Sequence, residues 1–383
     1  MMTRREWMRQ AVGVTAVTAM PGLSGGKGSA QAPANGGQAV TGTGSLKAHA
    51  AARGLLTGCA VNANLFREDE DFRKLLAEQY NILVPENCMK WNILRPTAET
   101  YNFADADSLV AFGEGHKIKV RGHNFVWHEA LPGWFAGTVN KDNAQKFLVD
   151  HIHTVGGRYK GKMHSWDVVN EAIWIPDGRP DGLRSSSPWF QLLGQGYIDL
   201  AFRTAREADP TALLTYNDYS IEYDNDEEGK KRAAVLALLR RMKADKVPLD
   251  ALGIQSHLHA ISKEGFSRGV RELIDGAKAL GLQVFITELD VNDDAVAAED
   301  MAERDKIVGD VYRNYLTAAL DGPEVKAVLT WGASDKNTWL NHGTKFRKQH
   351  PERLQRPLPF DPDYVPTPAF FAMRASFDRA KKR

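Results

Sequence analysis

From about residue 46 onward, short apolar runs alternate with longer stretches of helical periodicity. The runs are residues 58–61, 82–85, 118–126, 163–170, 212–217, 251–258, 282–289 and 325–331. A strand buried on both faces is apolar throughout rather than at every second residue, so these runs predict strands of a parallel sheet. Between them, residues 71–79, 142–159, 195–208, 229–244, 266–280 and 300–320 carry the spacing of amphipathic helices. Asp209-Pro210 stops one helix and Lys246-Val247-Pro248 another, and a last helix at 367–379 has Pro368 just inside its start. Eight strand–helix units without a break in composition predict one α/β domain, a single (β/α)8 TIM barrel. An open doubly wound sheet is the competitor. It fits less well, because no glycine-rich phosphate loop follows the first run.

Polar and aromatic groups recur where the runs stop. The second leads into Glu86-Asn87-Cys88-Met89-Lys90-Trp91, and the third into His123, Trp127, His128 and Trp134. The fourth ends in Asn170-Glu171 and the fifth in Asn217-Asp218-Tyr219. The sixth supplies Gln255-Ser256-His257, the seventh Glu288 and Asp290, and the eighth Trp331 with Trp339 a little later. The C-terminal mouth of a barrel's strands is where such barrels do chemistry. Indoles that stack on pyranose faces, amides and carboxylates that share out hydroxyls, and a pair of glutamates together predict a sugar pocket that cuts a glycosidic bond.

Charge and cysteine content narrow the partners. The net charge is +1, and Arg4, Arg5, Arg9 and Lys27 against Glu6 place an excess of +3 in the first thirty residues, leaving −2 for the rest. No basic stripe for nucleic acid is present, and no apolar stretch reaches the ~20 residues of a membrane span. Arg4-Arg5 before Trp7 and Met8, then a weakly apolar run, predict a twin-arginine export signal over residues 1–30, with an ordinary secretory signal as the alternative. Residues 31–45, rich in Gly, Ala and Thr, predict a flexible linker, and 46–383 the catalytic domain. Cys59 and Cys88 stand near the ends of neighbouring strands; two buried free thiols are expected rather than a bridge.

The chain resembles glycoside hydrolase family 10, whose usual members are endo-β-1,4-xylanases, over about residues 46–377. The resemblance rests on Glu-Asn-x-Met-Lys-Trp, Gly-His-x-x-x-Trp-His, Trp-Asp-Val-Val-Asn-Glu-Ala, Asn-Asp-Tyr, Gln-Ser-His, Thr-Glu-Leu-Asp-Val and Trp-Gly-x-x-Asp, found in that order. It implies Glu171 as acid/base and Glu288 as nucleophile, with Asn170 on the 2-hydroxyl of the sugar being cleaved. His257 is implied between Glu288 and Asp290, with Asp290 fixing the imidazole. Lys90, His123, Trp127, Gln255 and Trp331 are implied to line the same sugar's subsite, and Glu86, Asn87 and Trp339 the neighbouring glycone positions. The expected enzyme is an exported, monomeric, retaining endo-xylanase, periplasmic or extracellular, acting on xylan or xylo-oligosaccharide without cofactor or metal.

Other readings stay open on the residues alone. Asp167 and Asp290 could pair with arginines or cap loops, and Trp134 could flank the cleft or merely pack. His128, His151 and His153 fit structural places, and His257 with His259 lacks a third metal ligand. The same barrel could act on another β-glycan or an aryl glycoside, or bind carbohydrate without turnover. Residues 173–179 and the long basic stretch 342–359 depart from the family's usual pattern, the latter being expected as a solvated loop, with a cover or widening of one end of the cleft, or a contact for anionic side groups, as the alternatives.

Overall fold

The computed structural model describes residues 39–342 and 344–383. Strand β1 (Leu56–Val61) pairs in parallel with β2 (Ile82–Pro85), followed in order by β3 (Lys119–Val126), β4 (Ser165–Asn170), β5 (Leu213–Asp218) and β6 (Ala251–Ile254). After the short β7 (His257–His259), β8 (Gln283–Asn292) pairs with β6 on one side and β9 (Val325–Thr330) on the other. β9 returns to β1, with Leu56 opposite Ala327. Eight parallel strands thus close with no free edge, and the alternation of apolar runs with helices is explained as a (β/α)8 barrel.

Two apolar layers hold it. Ala60, Ile82, Val84, Ala251, Phe285, Ala327 and Leu329 fill the inside of the barrel, below Trp331. A larger layer lies between strands and helices. The helix Tyr197–Ala208 shows how the sequence builds it: Ile198, Ala201, Phe202 and Ala205 recur at helical spacing and are all buried. The helices Glu70–Gln79, Asp226–Ala244 and Met301–Ala319 begin at Asp69, Asn225 and Asp300, whose side chains accept first-turn backbone N–H groups.

The sixth run is where expectation and structure differ in form. Residues 251–258 are read as one strand in sequence but form two in space. The chain breaks at Gln255-Ser256, with Ser256 at φ 66°, and resumes as β7, which pairs with β8 at His257 and Asp290. The helix Ala104–His116 is absent from the periodicity reading, because its buried face of Ala106, Leu109, Val110 and Gly113 has small residues at both ends and so little apolar contrast. Within the stretch expected as linker, structure already exists from Ala39. The Gln79 amide donates to the Val40 carbonyl at 2.9 Å, Arg374 donates to the Ala39 carbonyl at 2.8 Å, and Gly42–Gly44 form a 3-10 turn. The small residues there permit that close approach. The expected export signal lies outside the described residues.

Cys59 and Cys88 are buried and unbridged, and burial pushes the Cys88 thiol up to about 12. Among the described residues no helix is long and apolar enough to cross a membrane. The stretch after Trp339 is not a free basic loop. Arg356 forms a two-pronged pair with Asp305, Arg304 pairs with the buried Asp293 and donates to the Leu354 carbonyl at 2.7 Å, and Arg347 and Arg353 bond to backbone carbonyls. Arg353 and Arg356 thus tie the stretch to the segment after β8 and to the helix Met301–Ala319, Arg304 reaches it from that helix, and Arg347 bonds carbonyls within the stretch itself.

Candidate active site

The two glutamates sit at the C-terminal mouth, 1% and 2% exposed. Glu171 is the first residue beyond β4, and its φ of 60° turns the chain sharply out of the strand. Its N–H donates to the Asn217 carbonyl at 2.8 Å, and its carbonyl accepts from Arg184 Nε at 2.9 Å, so the turn is held from both sides. Glu288 lies within β8, its N–H on the Gln255 carbonyl at 2.9 Å.

Three amides join the acids. Gln255 Nε2 and Asn170 Nδ2 donate to Glu171 Oε1 at 3.0 and 3.2 Å. Asn217 Nδ2 donates to Glu288 Oε1 at 2.8 Å and to Asn170 Oδ1 at 2.9 Å. Gln255 reaches Asn170 Oδ1 at 3.3 Å, and Thr287 Oγ1 donates to Asn217 Oδ1 at 2.7 Å. Asn217 belongs to the Asn-Asp-Tyr motif, yet the sequence alone assigns it no role. Its link to both acids is visible only once β5 lies between β4 and β6. Gly253 is what lets it lie there: a Cβ at Gly253 would come within 2.3 Å of Asn217 Oδ1.

Behind Glu288 stands His257, with Nε2 3.1 Å from Glu288 Oε2 and Nδ1 2.9 Å from Asp290 Oδ1. Asp290 accepts from Trp339 Nε1 on its other oxygen at 2.5 Å. Burial alone would lower the affinity of His257 for its second proton. The Asp290 carboxylate, by charge and hydrogen bond, and then Glu288 outweigh it and raise the pKa to about 9. The imidazolium therefore donates to both carboxylates at neutral pH.

This has a consequence for stability. An unfolded histidine titrates near 6.5, so the contribution from a folded pKa of about 9 is fully present below ~6.5 and lost as pH rises through about 9. Unfolding free energy is expected to fall by on the order of 3 kcal/mol between those limits beyond any fall seen in His257→Gln. Urea melts across that range check it; equal losses in both proteins would remove the assignment.

The aromatic and cationic groups expected around a sugar converge on the same mouth. Lys90 Nζ lies 5.1 Å from the Trp127 ring and 5.7 Å from the Trp331 ring, and donates to Asn87 Oδ1 at 2.9 Å. Trp331 meets His123 and His257 edge-on, and His257 meets Trp339 at 5.1 Å between ring centres. Glu86 Oε2 accepts from Asn62 beside them at 3.0 Å. Asp167 is buried against Arg121 and bonds His123 Nδ1 at 2.7 Å, so its arginine pairing also fixes a ring at the mouth. Trp134 packs instead, donating to the Arg95 carbonyl beside Phe135 and Phe147. His151 stacks on Trp91, fully buried and with its pKa pushed well down by that burial. Residues 173–184 form a turn-rich flap through an Ile173–Leu183 bridge, with Arg184 over Trp174 and 3.2 Å from the Tyr219 hydroxyl. Arg184 is a further site residue that spacing could not reveal, since thirteen residues separate it from Glu171. Among the described residues no cluster of three or more His, Cys, Asp or Glu could hold a metal.

Comparison with known proteins places the chain in a family. The sequence model of glycosyl hydrolase family 10 matches residues 45–376. The chain is similar to endo-1,4-beta-xylanase B of Thermotoga neapolitana, 34% identical over 316 residues that cover 82% of this chain and 85% of that protein. Among solved structures it is similar to native xylanase 10B from Thermotoga maritima, with a TM-score of 0.76, 34% identity, and 88% of this chain and 98% of that one covered. Xylanase 10B from Thermotoga petrophila RKU-1, solved with xylobiose, gives a TM-score of 0.77 at 34% identity, covering 88% and 97%.

Proposed function

The chain belongs to glycosyl hydrolase family 10, and from that premise we infer an endo-acting, retaining xylanase that cleaves internal β-1,4 bonds of xylan by double displacement. The observation that carries the mechanism is the amide-bridged pair of Glu171 and Glu288 with His257-Asp290 behind the latter. Glu288, faced by an imidazolium and an amide N–H, is the anion that attacks the anomeric carbon. Glu171, addressed by the neutral amides of Gln255 and Asn170, gives its proton to the departing oxygen. The covalent glycosyl-enzyme is then opened by water, which loses its proton to Glu171, so two inversions give net retention. Asn170 is proposed to hold the 2-hydroxyl of the sugar at the reacting centre, with Lys90, His123, Trp127, Gln255 and Trp331 around that sugar. Glu86, Asn87 and Trp339 serve the neighbouring glycone position.

Product analysis on linear xylan, arabinoxylan, glucomannan and cellulose tests this reading. Xylo-oligosaccharides of mixed length, released with retained anomeric configuration, are the expected products of the xylans. Inverted products, or faster cleavage of cellulose or glucomannan, would contradict it. A binding-only barrel has no need of two buried acids. The enzyme is further proposed to act as a monomer, without nucleic acid or membrane; a dimer in sedimentation would refute that. Export through the twin-arginine route is proposed from Arg4 and Arg5 alone. Lysine at both positions should retain the protein inside the cell, and unchanged export would point to an ordinary secretory signal.

A further inference from the structure

We infer that Glu222 is a positioning residue that aims both halves of the catalytic apparatus by holding the break between β6 and β7. The inference rests on the roles given above to Glu171 and Glu288. Glu222 is 1% exposed, in the segment after β5, and its carboxylate is directed at backbone N–H groups rather than at either acid. Its Oε2 accepts the N–H of Ile221 at 2.7 Å, and its Oε1 accepts the N–H of Ser256 at 2.8 Å, across 34 residues. The loop that carries it is braced in turn: Arg232 donates to the carbonyls of Ile221 and Tyr223 at 3.1 and 2.5 Å, and Lys231 to that of Tyr219 at 2.6 Å.

What Glu222 grips is the unusual point of the backbone. Ser256 holds a left-handed φ of 66° that a residue with a Cβ adopts only when its surroundings impose it. Its hydroxyl meets that of Tyr315 at 2.6 Å, and its carbonyl accepts the Asp290 N–H at 3.3 Å. The two residues flanking Ser256 point at opposite members of the catalytic pair: Gln255 at Glu171 and Asn170, and His257 at Glu288 and Asp290. A rotation at Ser256 therefore moves both contacts at once. A buried carboxylate is a costly way to satisfy two backbone N–H groups, and its place here is accounted for by the geometry it imposes.

The test compares kcat with KM on linear xylan. In Glu222→Gln the side chain keeps its size, but one acceptor oxygen becomes an NH2 that opposes a backbone N–H. We expect kcat to fall by about a hundredfold while KM stays within about threefold, the pattern of misplaced groups rather than lost binding. Adding Ser256→Gly to that variant should recover kcat by about tenfold, because glycine takes the left-handed turn without being held there. Urea melts of the single and double variants separate this recovery from a gain in stability: kcat should return even where the midpoint does not. Ser256→Thr, with Glu222 intact, keeps the hydroxyl but resists the turn by β-branching, and should lower kcat on its own. Wild-type kcat in Glu222→Gln, or a loss that Ser256→Gly leaves untouched, would overturn the proposal. Turnover retained by Glu288→Ala in the same assay would instead remove the reading beneath it.

Discussion

Replacing Glu288 by alanine is expected to lower kcat on every substrate by on the order of 10⁵-fold or more, as loss of a nucleophile does, while xylo-oligosaccharide still binds. The methyl group cannot form the glycosyl-enzyme, and the space it leaves holds water at best. Binding survives because the sugar-facing groups hang on other strands: Trp331 follows β9, His123 lies on β3, and Lys90 follows β2. His257 keeps Asp290 as a partner at 2.9 Å, so the mouth should not collapse. Calorimetry with a xylo-oligosaccharide, beside turnover of xylan and an activated aryl xyloside, separates the two effects. Near-normal turnover on either substrate would end the assignment of Glu288.

Replacing Glu171 by alanine should act selectively. Breaking an alkyl glycosidic bond needs a proton on the leaving oxygen, whereas an activated phenolate departs without one. The loss in kcat/KM on xylan is expected to be about 10³–10⁴-fold, and far smaller for the glycosylation step on a dinitrophenyl glycoside. Deglycosylation also loses its general base, so the activated substrate should show a burst followed by slow turnover, which azide should speed by attacking without base assistance. Equal losses on the two substrates, with no burst, would count against the acid/base role.

The barrel and the acids were legible for one physical reason. Strands buried on both faces leave continuous apolar runs, and the residue that ends each run marks the mouth, so Glu171 and Glu288 could be placed without seeing either fold back on the other. Position along a run says nothing of what lies beside it. Asn217 and Thr287, whose side chains fix Glu288 and its neighbours, stand inside the motifs Asn-Asp-Tyr and Thr-Glu-Leu-Asp-Val, yet their place in the run says nothing of which side chain they meet. Arg184 and Glu222 lie in connecting segments, where no period applies. The break at Ser256 could not be read because polar Gln255-Ser256-His257 fits the end of one strand as well as a break between two, and a left-handed serine leaves no trace in hydrophobicity. Counting charge misled at residues 342–359: arginines look alike in sequence whether they face solvent or, as Arg356 does, close on a half-buried aspartate.

Asp290 has a wider bearing than its single carboxylate implies. One oxygen faces the imidazole that backs Glu288 and the other faces the indole of Trp339, so the two rings share a single rigid pivot. In the roles proposed above, a pyranose pressing on that indole would lean, through two hydrogen bonds, on the group that steadies Glu288. Longer oligosaccharides should accordingly be processed faster and not merely held more tightly, with contact energy gained far from the scissile linkage spent on the reacting step.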